Sequence, residues 1–271
     1  MFLQIGRHNP HLMNEIRYPI FIHKNIYFKG RKFSIKIEGI DKNFAAVKYK
    51  EEAWDIIDLN NKRKKVVQIH YESFYKLSPD CRKMAFRSLD SFISYSESVA
   101  VIDLLSKSNN VKTKQGFGMI FCWTSEGNLI LEEYKNEEPN DNLFLFDVKT
   151  KKLTSFAKGE SPSLAPKSGR VTYARNSKLF SNHPNELKGK YICDFHKSEN
   201  RHFKMLYQLS PDEKFLLYTV CRYNTLYFSS RYIIIKKLST GEEHILLCKN
   251  LPWLPTWLEP ETAQYIIDNN L

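Results

Sequence analysis

Short apolar runs separated by polar turns recur along this chain at a nearly constant interval. In the clearest copies a Ser-Pro-Asp turn leads into an apolar strand, and the other copies keep this shape more loosely. They begin 39 to 49 residues apart and read SPDCRKMAF (78–86), SPDEKFLLY (210–218), TSEGNLIL (124–131), APKSGRVTY (165–173), GIDKNFAAV (39–47) and EPETAQYII (259–267). An interval of about 45 residues is typical of repeat folds and suits the four-stranded blade of a β-propeller.

The residues after each turn support this interpretation. A second apolar run ending in Asp-Leu or Asp-Val follows, and then come a polar turn and a third short strand. The runs are short, rich in β-branched and aromatic residues, and bounded by Asn, Lys, Ser, Thr or Gly, as in β-hairpins. No segment shows a sustained helical period. We therefore predict an all-β fold, a β-propeller, in a single domain over residues 1–271.

The repeat resembles that of the TolB-type propeller family, which also occurs in the propeller domains of prolyl oligopeptidase relatives. The shared order is Ser-Pro-Asp-x-x-Lys, an apolar strand, a run ending in Asp-Leu, and Thr-Gly, and it is clearest at 75–113, 119–156 and 206–246. The glycine usual in the turn remains only as Gly127 and Gly169, with Cys81 and Glu213 in other copies. Glycine is favoured there for its positive φ, so we expect a different turn type at Cys81 and Glu213. The resemblance implies a fold and no particular activity.

Closure of the ring needs strands from both ends of the chain. The last repeat has room for one or two strands, while strand-like segments precede the first full repeat at 17–23 and 25–29. An incomplete blade would leave unpaired edges that invite aggregation. We therefore predict that 17–29 complete the blade begun at 252–268, which gives six blades. A five-bladed ring with 1–35 packed elsewhere is the alternative.

We expect a cytoplasmic protein from the N-terminal sequence, the apolar runs and the cysteines. The start MFLQIGRHNPHL lacks the basic and apolar regions of a signal peptide, and no apolar run is long enough to span a membrane. The five cysteines are an odd number without a Cys-x-x-Cys pair, so we expect thiols of a reducing compartment and no disulfides.

Catalytic motifs are missing from the sequence. There is no Gly-x-Ser-x-Gly elbow, no Gly-rich phosphate loop and no His-Glu-x-x-His. His196 and His202 lie near Cys193, but a fourth metal ligand is lacking, so a packing role is favoured. We interpret the acidic run 132–141 as a solvated loop because regular cation-ligand spacing is absent. The prediction is a non-enzyme with no cofactor and no metal, although a small-substrate enzyme stays open as a third possibility.

The best candidate site is a set of long connections between the second and third strands. These connections are 87–98, 132–141, 174–190 and 219–231, and all should project from the face opposite the Ser-Pro-Asp turns. Aromatic residues and arginine are enriched in interface hot spots. The candidate binding residues are Arg87, Phe92, Tyr95, Arg175, Phe180, Arg222, Tyr223, Tyr227 and Phe228. The competing interpretation is that half of these aromatic side chains pack back onto the blades.

Charge bears on the partner. A net charge of +11 attracts phosphate or acidic protein surfaces. The densest basic run, 62–65, falls in a predicted hairpin turn between outer strands, where it would prevent edge pairing. Basic and aromatic residues do not alternate as in a single-strand groove, so nucleic-acid binding ranks below protein binding.

We therefore expect a monomeric, cytoplasmic, protein-binding propeller with no membrane attachment. Its sharpest version is an immunity protein that neutralises a toxin, such as a nuclease toxin. This version rests on the association of Lys/Asn/Ile/Tyr-rich genes with toxin loci. The alternative is a propeller that binds nucleic acid or another polyanion through its positive charge.

Overall fold

The structure is a computed structural model. It describes residues 3–5, 15–22, 25–28, 31–34, 39–41, 44–50, 53–58, 63–68, 75–80, 82–89, 97–103, 111–113, 117–135, 138–184, 186, 188–195, 207–224, 227–248, 256–258 and 260–268. For some of these residues, including 44–50, 53–58, 63–68, 87–89, 220–224 and 227–232, the description covers the backbone alone.

The described residues form short antiparallel strands. The first eight are β1 (Leu3–Ile5), β2 (Ile20–Ile22), β3 (Asn25–Phe28), β4 (Arg31–Ser34), β5 (Gly39–Asp41), β6 (Phe44–Lys50), β7 (Ala53–Asp58) and β8 (Arg63–Gln68). The next twelve are β9 (Tyr75–Leu77), β10 (Lys83–Leu89), β11 (Glu97–Asp103), β12 (Val111–Lys112), β13 (Phe117–Trp123), β14 (Leu129–Lys135), β15 (Glu138–Phe146), β16 (Leu153–Lys158), β17 (Glu160–Leu164), β18 (Val171–Arg175), β19 (Lys178–Asn182) and β20 (Lys190–Asp194). The last five are β21 (Tyr207–Leu209), β22 (Phe215–Asn224), β23 (Tyr227–Lys237), β24 (Glu243–Cys248) and β25 (Thr256–Trp257).

These strands pair into six sheets, which we number in chain order. Sheet 1 has the order β25-β2-β3-β4, and sheets 2 to 5 contain β5–β8, β9–β12, β13–β16 and β17–β20, each in sequence order. Sheet 6 contains β21–β24, and β1 adds a fifth strand along β24. The predicted all-β class and its four-stranded repeat are confirmed.

The sheets fall into two compact units. The first comprises Met1–Ile69 and His196–Leu271 and holds sheets 1, 2 and 6, whereas the second comprises His70–Phe195 and holds sheets 3, 4 and 5. The single-domain organisation stays a prediction.

Apolar side chains pack between neighbouring sheets inside each unit. In the second unit, Val101 of sheet 3 joins Phe121 and Leu131 of sheet 4 in one buried cluster. A further cluster there contains Ile130 of sheet 4 and Tyr173 of sheet 5. Alternating apolar positions supply these contacts, because successive side chains of a strand point to opposite faces. The core therefore lies between sheets, as expected for stacked repeats.

Sheet 1 is built from both ends of the chain, as predicted. Ile20 pairs with Trp257 and Phe21 with Thr256, so the C-terminal strand β25 lies beside the N-terminal strand β2. Buried Ile20 and Trp257 also pack against the apolar face of sheet 6, which includes Leu217. The predicted pairing of a strand from 17–29 with a strand from 252–268 is therefore confirmed, whereas closure of a ring stays a prediction.

The segment after this strand departs from the prediction. Residues 259–267 were expected to be a degenerate strand copy, but Pro260–Asp268 is an α-helix that buries Ala263 and Ile266. Pro260 stands at the first helical position, where its missing N–H costs nothing, and Glu261 lies in the first turn, where its charge suits the helix dipole. The strand prediction for this segment is wrong because these start signals outweigh the repeat pattern.

Each Ser-Pro-Asp turn is held by its own side chains. The Ser78 hydroxyl donates to Asp80 at 2.6 Å and accepts from the backbone N–H of Lys83 at 2.9 Å. Asp80 in turn accepts from the N–H of Arg82 at 3.1 Å. Burial raises the pKa of Asp80, but the hydrogen bonds from Ser78 and Arg82 outweigh it and lower the pKa. The turn is therefore stabilised at neutral pH and weakens as the pH falls through the lowered pKa of Asp80.

The second copy reproduces this geometry. The Ser210 hydroxyl donates to Asp212 at 2.7 Å and accepts from the N–H of Phe215 at 3.0 Å. Glu213 has φ of 58°, close to the φ of 79° at Gly127 in the corresponding turn of sheet 4. The prediction of a different turn type at Glu213 is therefore wrong, because a non-glycine residue adopts the left-handed conformation itself. Cys81 lies outside the described residues.

The basic run 62–65 also differs from its prediction. Arg63, Lys64 and Lys65 begin β8, the edge strand of sheet 2, and do not form the turn before it. Lysine and arginine along an edge strand discourage pairing with another chain. Their predicted protective role therefore fits this position, while Lys62 lies outside the described residues.

The first prediction concerns the composite sheet. Deletion of residues 1–30 removes β1, β2 and β3 and with them buried Ile20 and Ile26, so we expect insoluble or molten protein. Near-UV circular dichroism and thermal unfolding would measure this. Deletion of residues 1–14 removes only β1 from the described strands and should leave cooperative unfolding. A 1–30 deletion that unfolds at the full-length temperature would contradict the strand exchange.

The second prediction concerns strain at Glu213. We compare Glu213→Gly with Glu213→Ala, because both remove the carboxylate and only alanine retains a Cβ. A left-handed φ costs a Cβ-bearing residue about 1 kcal/mol, so the glycine variant should be more stable by that amount. Urea unfolding would measure the difference. The matched pair Glu242→Gly and Glu242→Ala is a control, because Glu242 is not among the residues with a positive φ. There the alanine variant should be the more stable of the two.

Candidate functional site

The predicted binding residues lie mainly in strands. Arg87 is in β10 opposite Val99, Arg175 ends β18, and Phe180 is in β19. Arg222 and Tyr223 are in β22, Tyr227 and Phe228 are in β23, and Phe92 and Tyr95 lie outside the described residues. The expectation that these connections are long loops is therefore wrong for three of the four. The structure describes part of the fourth, 87–98, as strand at Arg87–Leu89 and Glu97–Ser98.

The connection 174–190 shows why a predicted long loop is instead a hairpin of two strands. Asn176 and Ser177 have φ of 51° and 59°, which makes a two-residue hairpin turn with a positive φ at both positions. Arg175 pairs directly with Lys178 across it. Residues 183, 184, 186, 188 and 189 follow β19 outside any strand and therefore lie at the end of sheet 5 that carries the turn 165–170. Asn176-Ser177 between the strand-forming runs 171–174 and 179–180 was the overlooked signal.

The connection 219–231 is a projecting two-stranded ribbon. β21 pairs with β22 only at residues 216–218, and β24 pairs with β23 only from Arg231 onward. Beyond these rows, Arg222 pairs with Ser230, Tyr223 with Phe228 and Asn224 with Tyr227. Among the described residues no third strand pairs with this part. We call residues 222–224 and 227–230 the projecting ribbon, and it contains four of the nine predicted binding residues.

A second candidate surface is a row of aromatic rings on sheet 5. Tyr173, Phe180 and Tyr191 stand opposite one another on β18, β19 and β20. The Tyr173 and Phe180 rings stack with centroids 6.0 Å apart, and Phe180 meets Tyr191 edge-on, also at 6.0 Å. Phe156 of sheet 4 contacts Tyr173 edge-on at 6.1 Å. Exposure rises along the row, because Tyr173 is buried, Phe180 is half-buried and Tyr191 is 50% exposed.

Arg175 covers the middle of this row. Its guanidinium carbon lies 4.5 Å from the centre of the Phe180 ring, which is a cation–π contact. Phe180 therefore packs back onto the sheet, as the competing interpretation allowed, while exposed Arg175 remains at the surface. We call Arg175, Phe180 and Tyr191 the aromatic patch. Tyr191 was missed because its single aromatic ring in KYICD looks like an ordinary strand residue.

Polar side chains fix the opposite end of sheet 5. The Arg170 guanidinium donates to both carboxylate oxygens of Glu186 and also to the hydroxyl and carbonyl of Ser181. The hydrogen bonds from Arg170, followed by that from the backbone N–H of His183, lower the pKa of Glu186. Asn182 accepts from the Tyr173 hydroxyl at 3.2 Å and donates to the Glu186 carbonyl at 3.3 Å. This network holds His183 and Glu186 at the end of the aromatic row.

The acidic run 132–141 is not a solvated loop. Glu132 lies in β14 with 0% of its surface exposed, and it accepts a hydrogen bond from the backbone N–H of Ser161 at 3.0 Å. Ser161 has φ of 53°, a strained value for serine. The loop prediction is wrong for Glu132 because sheet 5 covers the strand that carries it. Asp141 is exposed, and Glu137 lies outside the described residues.

Thiols and metal ligands give no second site in the part of the chain that the structure describes. Cys122 and Cys193 are buried thiols that do not form a disulfide, and burial raises the pKa of Cys122 to about 12. The described His, Cys, Asp and Glu residues form no group of three that could hold a metal ion. His196 and His202 lie outside the described residues. The described helix is too short and too polar to cross a membrane.

Comparisons with known proteins find matches among solved structures. No protein-family model matches the chain, and no curated protein matches it. A prolyl endopeptidase structure is 13% identical with a TM-score of 0.43, and the match covers 78% of this chain but only 41% of that chain. Oligogalacturonate lyase from Vibrio parahaemolyticus is 10% identical with a TM-score of 0.49, covering 86% of this chain and 75% of the other. The β-propeller domain of the Trilobed protease from Pyrococcus furiosus is 14% identical with a TM-score of 0.43, covering 74% and 65%.

The third prediction tests how Tyr173 is held. A Cβ at Gly189 would lie 2.0 Å from the Tyr173 hydroxyl, so Gly189→Ala should destabilise the protein by about 1–3 kcal/mol through overpacking. Tyr173→Phe removes that hydroxyl and its bond to Asn182, at a cost of about 1 kcal/mol. The double variant should lose less than the sum of both losses, as urea unfolding would measure. Tyr191→Phe, whose ring is not among the nearest neighbours of that Cβ, should instead be additive with Gly189→Ala.

Proposed function

We propose that this chain is a non-enzymatic, cytoplasmic β-propeller that binds a protein partner through the projecting ribbon. In this proposal the six sheets are six blades and the composite sheet 1 closes the ring. The sharpest version is an immunity protein that neutralises a toxin. One observation supports the binding proposal: among the described residues, no third strand pairs with the ribbon, while its sequence contains Tyr223, Tyr227 and Phe228.

Isolated two-stranded ribbons are marginally stable in water, because few side chains can be buried between them. A sequence that keeps three aromatic residues in such a ribbon gains stability when a second surface covers them. Aromatic and arginine residues at the centre of an interface also contribute most of its binding energy. The two edges of the ribbon offer backbone groups for further pairing. These four facts favour a docking element over a structural one.

The ribbon also carries charge of one sign. Arg222 is its basic residue, Arg231 directly follows the ribbon, and residues 219–231 contain no aspartate or glutamate. With the net charge of +11, an acidic partner should associate faster at low salt. The polyanion alternative uses the same charge, so the experiment must separate a protein partner from nucleic acid.

The fourth prediction tests the ribbon. The triple variant Arg222→Ala, Tyr223→Ala and Tyr227→Ala should weaken partner binding by about 2 kcal/mol or more, as loss of hot-spot side chains does. Calorimetry with the purified partner would measure this. The control variant Lys214→Ala with Thr240→Ala removes one positive charge at the opposite end of sheet 6, and it should bind normally. A triple variant that folds and binds normally would contradict the proposal.

The partner can be found with the same residues. A photo-crosslinking amino acid at position 227 should capture the partner in cells, whereas the same amino acid at position 240 should not. If the immunity version holds, the gene directly before this one encodes a toxin, and coexpression of this chain restores growth. If charge reversal at 63–65 abolishes binding while the triple variant binds fully, the polyanion alternative replaces the proposal.

A further inference from the structure

The aromatic patch on sheet 5 has a charged group that the fold does not use. Arg175 is exposed, and among the residues that the structure describes it forms no hydrogen bond and no ion pair. By contrast, the guanidinium of Arg170, at the other end of sheet 5, donates hydrogen bonds to Ser181 and Glu186. The contact with Phe180 fixes the plane of the Arg175 guanidinium but leaves its N–H groups available.

The surroundings of Arg175 favour a single anionic group. Arg175, Lys178 and Asp194 stand opposite one another in one row at the end of sheet 5, and all three are exposed. Two positive charges and one negative charge leave this row with a small positive excess. A planar guanidinium held in place binds a carboxylate with two parallel hydrogen bonds.

The exposed ring of Tyr191 adds an apolar contact beside this charge. Tyr191 is 50% exposed on β20, and the structure describes no strand on the outer side of β20. Slight burial, followed by the charge and hydrogen bond of Asp194, raises the pKa of Tyr191, so its hydroxyl stays protonated at neutral pH. A ligand that covers this ring therefore buries an aromatic face next to a charged donor.

We propose that the aromatic patch binds an acidic segment of a protein partner, with a carboxylate on Arg175 and an apolar side chain over Tyr191. This inference rests on the proposed protein-binding function and names the chemistry of a contact outside the ribbon. In this proposal the second unit has a docking surface of its own, the aromatic patch.

Nucleic acid fits this surface less well. Single-strand binding needs successive bare aromatic faces on which bases stack, and Arg175 already covers the Phe180 ring. Affinity for a phosphate backbone also needs several cations along a track, whereas Asp194 interrupts this row. Only the ring of Tyr191 is exposed for stacking in the aromatic patch.

The fifth prediction uses random dodecapeptides displayed on phage, selected against the full-length protein. The selected peptides should contain aspartate or glutamate next to an apolar residue. Synthetic fluorescein-labelled copies should bind Arg175→Ala and Tyr191→Ala at least about tenfold more weakly by fluorescence anisotropy, as expected for loss of a hot-spot contact. Arg175→Lys keeps the charge without the planar fork and should lie between wild type and Arg175→Ala.

Two controls make the result specific. Lys188→Ala removes one positive charge from an exposed position at the other end of sheet 5, and it should bind the peptides normally. The ribbon triple variant should also bind them normally. Thermal unfolding of each variant checks that the fold is retained.

Three outcomes would overturn the inference. Selected peptides without acidic residues would exclude a carboxylate ligand, and unchanged binding by Arg175→Ala would exclude the aromatic patch. Arg175-dependent binding of a single-stranded oligonucleotide, without acidic peptides, would assign the surface to nucleic acid. Peptide binding lost only in the ribbon triple variant would overturn this inference while leaving the proposed function in place.

Discussion

A tryptophan hydrogen bond between edge strands joins two sheets in each unit. The Trp123 indole of sheet 4 donates to the Lys76 carbonyl of sheet 3 at 2.8 Å, and the Trp257 indole of sheet 1 donates to the Gln208 carbonyl of sheet 6 at 3.3 Å. A buried indole needs such an acceptor. The bond matters most for β25, which is two residues long and also donates from the Trp257 N–H to the Gln208 side chain at 2.9 Å. The composite sheet 1 therefore depends on the hydrogen bonds between Trp257 and Gln208 as much as on the pairing of β25 with β2.

The repeat was sufficient to predict the sheets because each copy contains its own turn chemistry. Ser78 and Ser210 lie two residues after the carbonyls that accept the tryptophan bonds, so turn and anchor have the same spacing in both units. Local hydrogen bonds within five residues can be predicted from sequence, since both partners lie in the motif. The helix Pro260–Asp268 was missed because the repeat pattern took precedence over the helix start signals at Pro260 and Glu261.

The candidate site was harder to predict than the fold. The sequence identified Arg175 and the residues of the projecting ribbon, but it assigned them to loops. Whether the segment 219–231 forms a loop or two paired strands depends on the register of β22 and β23. These strands form ten residue pairs, with one irregularity after Arg222. Burial of Glu132 likewise depends on a bond to Ser161, 29 residues away. Such contacts between sheets leave no periodic signal in one sequence.

The two ends of the sheets therefore differ in how their polar groups are used. At the Ser-Pro-Asp end, Ser78 and Asp80 use their polar atoms on the turn itself, so little is left for a partner. At the other end, hairpins differ in length, and among the described residues Arg175 has no ion pair and the projecting ribbon has no third strand. Uniform turns fix the register, and a fixed register lets the opposite hairpins vary without unfolding the sheet. The hairpin end can therefore accept sequence changes that the turn end, which maintains stability, cannot.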